Sequence, residues 1–333
     1  MELQQFDPAT GADSVRACYE IHHACGPVDA PGMPPASYRG FAGWLAFGWT
    51  EDPLEAWLAR DTDGGACGWY LLTLHARENR HAAHLKPEVH PARRRRGLGT
   101  ALLTHAADRA RKSGRRLLAG ESMEGSAGEA FALAVGAKRG LTEVHRVLRP
   151  ASLPPGHLAR LRSRAETAAH GYSLLSWEGP VPGDRLAAVA GVYVDAADAP
   201  RQPEEEGQVW DAERMRRANL RVAAMGLRHY TVAAQRDESA ELAAVTQLAV
   251  DRGIPDWGWQ EITVVARPHR GHRLGLLTKV AMMELLAKRE PQLTHIITGN
   301  ADGNKHMIAI NEALGFEVLN RWPSWELDIS RQS

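Results

Sequence analysis

Apolar residues along the chain follow two periods, and the order in which the periods occur is repeated. Leu102, Leu103, Ala106 and Ala110 recur at three- and four-residue spacing behind Gly99, which gathers them on one face of a helix. Leu277, Val280, Ala281 and Leu285 do the same behind Gly275. Strand-like runs precede each helix: Glu55 to Arg60, Cys67 to His75 and His81 to His90 in the first half, Tyr230 to Ala234, Glu241 to Val250 and Gln260 to Ala266 in the second. Ahead of them the pattern predicts a short strand and two helices: Leu3 to Phe6, Asp13 to His23 and Tyr38 to Phe47, then Tyr172 to Trp177, Pro182 to Val194 and Asp211 to Met225. Behind each periodic helix come a strand (Arg116 to Ala119, His295 to Thr298) and a helix (Glu129 to Val135, Met307 to Leu314), the last stopped by Gly315. Thr142 to Leu148 closes the first half as a strand. The expected fold is mixed α/β, two tandem domains each with a central, mostly antiparallel sheet flanked by helices. Three prolines between Arg149 and Gly156 mark a boundary, so the domains are expected at 1–150 and 171–333, with a linker helix within 151–170.

The repeat is sharpest at two basic turns. Val89-His90-Pro91-Ala92-Arg93-Arg94-Arg95-Arg96-Gly97-Leu98-Gly99-Thr100 runs into the first periodic helix, and Val265-Ala266-Arg267-Pro268-His269-Arg270-Gly271-His272-Arg273-Leu274-Gly275 into the second. Each has a valine, an arginine five residues on and a glycine five residues after that, which points to internal duplication. Glycines at Gly97 and Gly99 let backbone N–H groups converge on an anion, and the helix dipole adds positive potential at the same place.

Both turns resemble the coenzyme A binding signature of the GCN5-related N-acetyltransferase superfamily, in which Arg or Gln, two residues, Gly, one residue, then Gly or Ala wraps a pyrophosphate. Arg94, Gly97 and Gly99 fit it; in the second copy Arg270 and Gly275 fit, and Arg273 stands at the central glycine. The resemblance spans nearly the whole chain and implies an acyl-CoA-dependent N-acyltransferase. An acetyl or other short acyl group passes directly from CoA to the amine of a small molecule or peptide, without a covalent enzyme intermediate. The cofactor-binding residues it implies are Val89, Arg94, Arg95, Arg96, Gly97, Leu98, Gly99 and Thr100, and Val265, Arg270, Gly271, His272, Arg273, Leu274 and Gly275. The valines would meet the pantetheine through their backbone. Two other readings stay open: a catalytically inactive CoA-binding scaffold, and a tRNA-dependent aminoacyl transferase of duplicated fold.

For catalysis the superfamily commonly uses a carboxylate on the strand before the turn and a tyrosine in the helix before a Gly-Phe pair. Glu261 lies on that strand, on the same face as Trp259, and Asn304, Asn311, Gly315 and Phe316 match the rest, with Asn311 replacing the tyrosine. In the first half Ala83 and Leu85 stand at the places of Trp259 and Glu261, Gly125 and Ala132 at those of the two asparagines, and Gly136-Ala137 at the Gly-Phe pair. The expectation is therefore a catalytic C-terminal domain, with Glu261 as base, Asn304 bonding the cofactor and Asn311 in the helix. The N-terminal domain then binds acyl-CoA for structural or regulatory reasons. His84 and Glu88 are the ionisable groups left in the first half, and His22-His23 lie near its expected acceptor cleft.

Composition trims the alternatives. Lys plus Arg equal Asp plus Glu at 40 each, so there is no net basic field for nucleic acid or an anionic membrane. No run of about 18 apolar residues exists to span a bilayer, and the first residues lack the pattern of a signal peptide, so a cytoplasmic monomer or homodimer is expected. Cys18, Cys25 and Cys67 lack metal-ligand spacing, and His269 and His272 have no second ligand pair, so no metal is expected. The stretch from Asp198 to Gly207, with its acidic Glu204-Glu205-Glu206 run, reads as a solvated loop or as a lure for a cationic acceptor.

Overall fold

The computed structural model describes residues 1–330. The chain runs β1 (Glu2–Phe6), α1 (Ala12–Asp29), α2 (Tyr38–Phe47), β2 (Leu54–Arg60), β3 (Ala66–Leu74), β4 (Ala82–Val89), α3 (Leu98–Lys112), β5 (Leu117–Glu121), α4 (Ala127–Ala134) and β6 (Lys138–Leu148). It continues with α5 (His157–Ala168), β7 (Tyr172–Glu178), α6 (Leu186–Tyr193), α7 (Ala212–Ala224), β8 (Leu227–Arg236), β9 (Leu242–Asp251), β10 (Trp257–Val265), α8 (Leu274–Arg289), β11 (His295–Ala301), α9 (Lys305–Leu314) and β12 (Glu317–Asp328). The helix and strand order follows the pattern of the sequence with two departures. Helix α1 stays helical through Gly26 and Pro27 to Asp29, Pro27 lying in its last turn where a single i→i−4 bond is forgone, so the expected loop starts later. Strand β12 is an element that the periodicity did not announce, its alternation being broken by Pro323.

Two compact units form, and neither is a contiguous half. The first comprises residues 1–143, 202–206 and those from Asn320 on; the second comprises 144–201 and 207–319. The proline-marked division at 150 thus gives way to an exchange. Residues 144–148 of β6 group with the second unit, and the end of β12 completes the first.

In the first unit the strands lie in the order β1-β2-β3-β4-β5-β12. The first four are antiparallel, and β12 pairs antiparallel with β5, from Ser324 opposite Glu121 to Asp328 opposite Leu117. Between β4 and β5 the pairing is parallel and covers only Ala82–His84 against Leu117–Ala119. Strand β3 is buried on both faces, which is why its sequence reads as a continuous apolar run. Trp69 and Leu71 join Phe41 and Leu45 under α1 and α2, and Tyr70 and Leu72 join Leu85, Leu102 and Ala106 under α3.

The second unit repeats the plan, with β11-β10-β9-β8-β7 in order. Strands β10 and β11 are parallel over Trp257–Gln260 and His295–Thr298, and β10 carries a bulge against β9 between Gln260 and Thr263. Val189, Tyr193 and Met215 of α6 and α7 cover Ala233, Val245 and Val264 on one face; Leu161, Val280 and Met283 of α5 and α8 cover Val232, Leu248 and Ile296 on the other.

Trp325 on β12 is 5 % exposed and donates its indole N–H to Ser122 Oγ at 2.8 Å. Trp325→Ala is expected to destabilise the first unit by about 3 kcal/mol, read as a lower denaturant midpoint; a loss under about 0.5 kcal/mol, the range of a neutral surface change, would show that the returning strand is not needed.

Candidate active site

Beyond His84, β4 and β5 part, and an open cleft of about 740 Å3 occupies the gap. Leu85, Pro87, Glu88 and Val89 of β4 form one wall, Ala119, Gly120 and Glu121 of β5 another. Helix α4 forms a third with Ala130, Phe131 and Ala134; it is almost entirely apolar yet contributes no buried residue. At one end the cleft reaches the basic turn, through Arg94, Arg95, Gly97, Gly99 and Thr100. A long, apolar-walled slot ending at a helix N-terminus fits a thin chain carrying phosphates.

The turn's backbone is specialised. Arg95 and Gly97 have φ of +62° and +77°, and in the second copy Gly271 and Arg273 take the same places with +90° and +54°. The left-handed conformation has been kept in both copies, while the glycine that makes it easy has moved. Arg94 and Arg270 are not free phosphate ligands, as the motif suggested. Each donates Nε–H to the carbonyl of the preceding valine, Arg94 to Val89 at 3.0 Å and Arg270 to Val265 at 3.2 Å. Each also pairs with an aspartate, Asp29 at 2.5 Å and Asp198 at 2.7 Å. They shape the turn. In the first unit the N–H groups of the first turn of α3 have no intrahelical acceptor, and Arg95 and Arg96 have no partner among the described residues.

His84, Lys86 and Glu88 share one face of β4 by strand alternation, the face under α1 and α2. Glu88 accepts from His22 Nδ1 at 2.9 Å and from the Trp69 indole at 3.1 Å, and Lys86 Nζ is 3.7 Å away. Burial alone would raise this carboxyl, but the His22 bond, the Lys86 charge and the indole outweigh it and hold it below its usual range. Phe41 stacks on His22 at 5.0 Å between centroids, with Trp44 and Trp69 beyond it. Neither His22 nor its bond to Glu88 is signalled by spacing, since 66 residues separate them.

In the second unit the expected residues are differently employed. Glu261 does face the α6 and α7 side with Trp259, and its carboxylate meets His229 Nε2 at 2.7 Å. Asn304 is the N-cap of α9, accepting from the Met307 N–H at 3.3 Å, which is a structural role. Asn311 is fully buried: it accepts from Lys279 Nζ at 2.5 Å and donates to Asn300 Oδ1 at 2.6 Å, so its amide is held within the protein. Lys279 is the fifth residue after Leu274, as Leu103 is after Leu98, and Asn311 answers to Ala132; Leu103 and Ala132 both line the open cleft of the first unit. The second copy thus carries a polar clasp where the first is open. The first turn of α8 is buried at Leu274 and Gly275, whereas α3 buries nothing before Leu102. Asp198 also takes Arg267 at 2.5 Å, so this part of the acidic loop is a ligand of the turn and not a solvated tip. Among the described residues no group of three or more His, Cys, Asp or Glu stands ready to hold a metal, and no helix is long and apolar enough to cross a membrane.

Duplicated sheet, parted strands and phosphate turn together define an acetyltransferase fold. The model of the acetyltransferase (GNAT) family matches residues 15–125. The family match thus covers the first unit, and the chain as a whole has a tandem two-domain GNAT fold. It is similar over its whole length to a tandem GNAT protein from the clavulanic acid biosynthesis pathway, with 28% identity, 99% of that chain covered and a TM-score of 0.84. A GCN5-related N-acetyltransferase from Sphaerobacter thermophilus shares the fold at 18% identity, with 100% of this chain and 96% of that one covered and a TM-score of 0.68. No curated protein matches the sequence.

Lys279 gives the clasp a measurable signature. Burial lowers its ammonium from the ordinary 10.5 to about 7, with no carboxylate offsetting it. The folded state therefore binds fewer protons than the unfolded one between those values, and stability rises with pH across that window. Lys279→Met is expected to remove this slope between pH 7 and 10 in denaturant titrations and to raise stability at pH 7. A slope unchanged by the substitution would contradict a buried, neutralised amine.

Proposed function

We propose that the chain transfers an acetyl or other short acyl group from acyl-CoA to an amine of a small molecule or peptide, and that the first unit does this work. The observation that carries the reading is the open cleft between β4 and β5, which ends at the accessible N-terminus of α3. There the backbone N–H groups of Leu98, Gly99 and Thr100, with Arg95 and Arg96, would hold the pyrophosphate, and the parted edges of β4 and β5 the pantetheine arm. The acceptor would approach from the α1 and α2 side, where half-buried Trp44 lies over the buried rings of Phe41 and Trp69, which favours an amine on an apolar body.

This reverses the division of labour expected from the catalytic residues alone. The second unit has the Glu261–His229 pair, but Lys279, Asn311 and the buried start of α8 occupy the region that the cofactor needs. The first unit lacks the tyrosine of its relatives, and it keeps the opening.

Matched charge reversals on the two turns separate the units. Calorimetric titration of acetyl-CoA into the native chain should give one site. Arg95→Glu with Arg96→Glu should weaken it at least tenfold, as loss of two phosphate-facing charges implies. Arg273→Glu, on the equivalent exposed turn of the second unit, should leave it unchanged. Two sites, or a site sensitive only to Arg273→Glu, would return the cofactor to the second unit.

A further inference from the structure

We propose that His22 is the proton acceptor of the transfer and that Glu88 is its positioning residue, an assignment that rests on the first unit's cleft being the acyl-CoA site. The geometry is that of an oriented base. His22 Nδ1 lies 2.9 and 3.1 Å from the two oxygens of Glu88, so the carboxylate accepts a hydrogen bond from Nδ1–H and the lone pair is on Nε2. Nε2 has no partner among the described residues. The ring plane is set by the stack on Phe41, 5.0 Å away and 25° from parallel. Glu88 is itself held by the Trp69 indole and is the member of the group that lines the cleft, directly before Val89.

Glu88 is poorly suited to take the proton itself. Its oxygens are engaged by His22 and Trp69, and the environment keeps it ionised below the usual carboxylate range, which makes it a weak acceptor near neutrality. The other charged groups around His22 are few. Lys86 on β4 points along the same face, and Asp29 and Arg94 pair with each other two helical turns further along α1. Helix α2 presents only aromatic rings there, Phe41 and Trp44.

In the step so assigned, the amine lone pair forms the N–C bond at the thioester carbonyl carbon. The C–S bond then breaks, with its electron pair going to sulfur. The proton shed by nitrogen passes to Nε2, and the imidazolium returns it to the thiolate. Atoms and charge balance without an added oxidant, reductant or metal.

The test measures thiol release by the full chain from acetyl-CoA, with phenethylamine as the probe amine and with water alone, alongside calorimetric acetyl-CoA binding. His22→Ala should lose about 100-fold or more of the rate at unchanged acetyl-CoA affinity. Added imidazole should restore part of it, which a structural role does not predict. His22→Gln, which keeps a donor for Glu88, should lose the acid limb of the pH–rate profile. Glu88→Gln should slow release about tenfold or more at unchanged affinity. Release within threefold of native in His22→Gln, or a loss that imidazole does not restore with the acid limb intact, would overturn the assignment. A native chain that binds acetyl-CoA but releases no thiol would overturn it too; one that does not bind would overturn the site on which it rests.

Discussion

Everything in the first unit turns on two parallel strands that stop pairing after three residues. Strand β4 remains bonded to β3 through Val89, so its far edge from Leu85 onward presents backbone donors and acceptors to the cleft. Buried backbone groups need partners, and a ligand with its own amides supplies them. Gly120 lies where the two strands begin to part; a Cβ there would stand 3.0 Å from the Leu85 carbonyl. The opening also decides what stands around it. Helix α4 can be apolar yet unburied because it walls a slot, and the first turn of α3 buries no residue before Leu102.

The second unit keeps the same backbone plan with a different interior. Its strands part after Gln260 in the same way, and its turn repeats the two left-handed residues. The interior differs at a few positions: a lysine for Leu103, an asparagine for Ala132, an arginine for Gly97. A buried ammonium costs stability unless its environment neutralises or bonds it, and here it is held by an amide and the Phe316 ring. That arrangement ties α8 to α9 and, through Asn300, to β11.

Local chemistry made much of this legible in the sequence. The turns were readable because glycines, arginines and a helical period fall together within a dozen residues, and Gly315 caps its helix as its position suggests, with φ of +94°. Long-range pairing was not readable. His22 and Glu88 meet across 66 residues, and β12 returns to β5 across more than 200, with Pro323 interrupting its pattern. The burial of Lys279 was not readable for a different reason. On a helix a lysine is ordinarily solvated, and nothing local says that α9 will bury it. Glu261 and the two asparagines stand where a family pattern puts them, and only the packing shows that Asn304 caps its helix and that Asn311 ties α9 to α8 and β11.

Hydrogen exchange of the native chain with and without acetyl-CoA tests the central claim most directly, because it reports both units at once. The account predicts slowed exchange at residues 85–89, 97–103 and 119–121, with residues 258–279 unchanged. Protection at 270–276 with the first turn unaffected would contradict it.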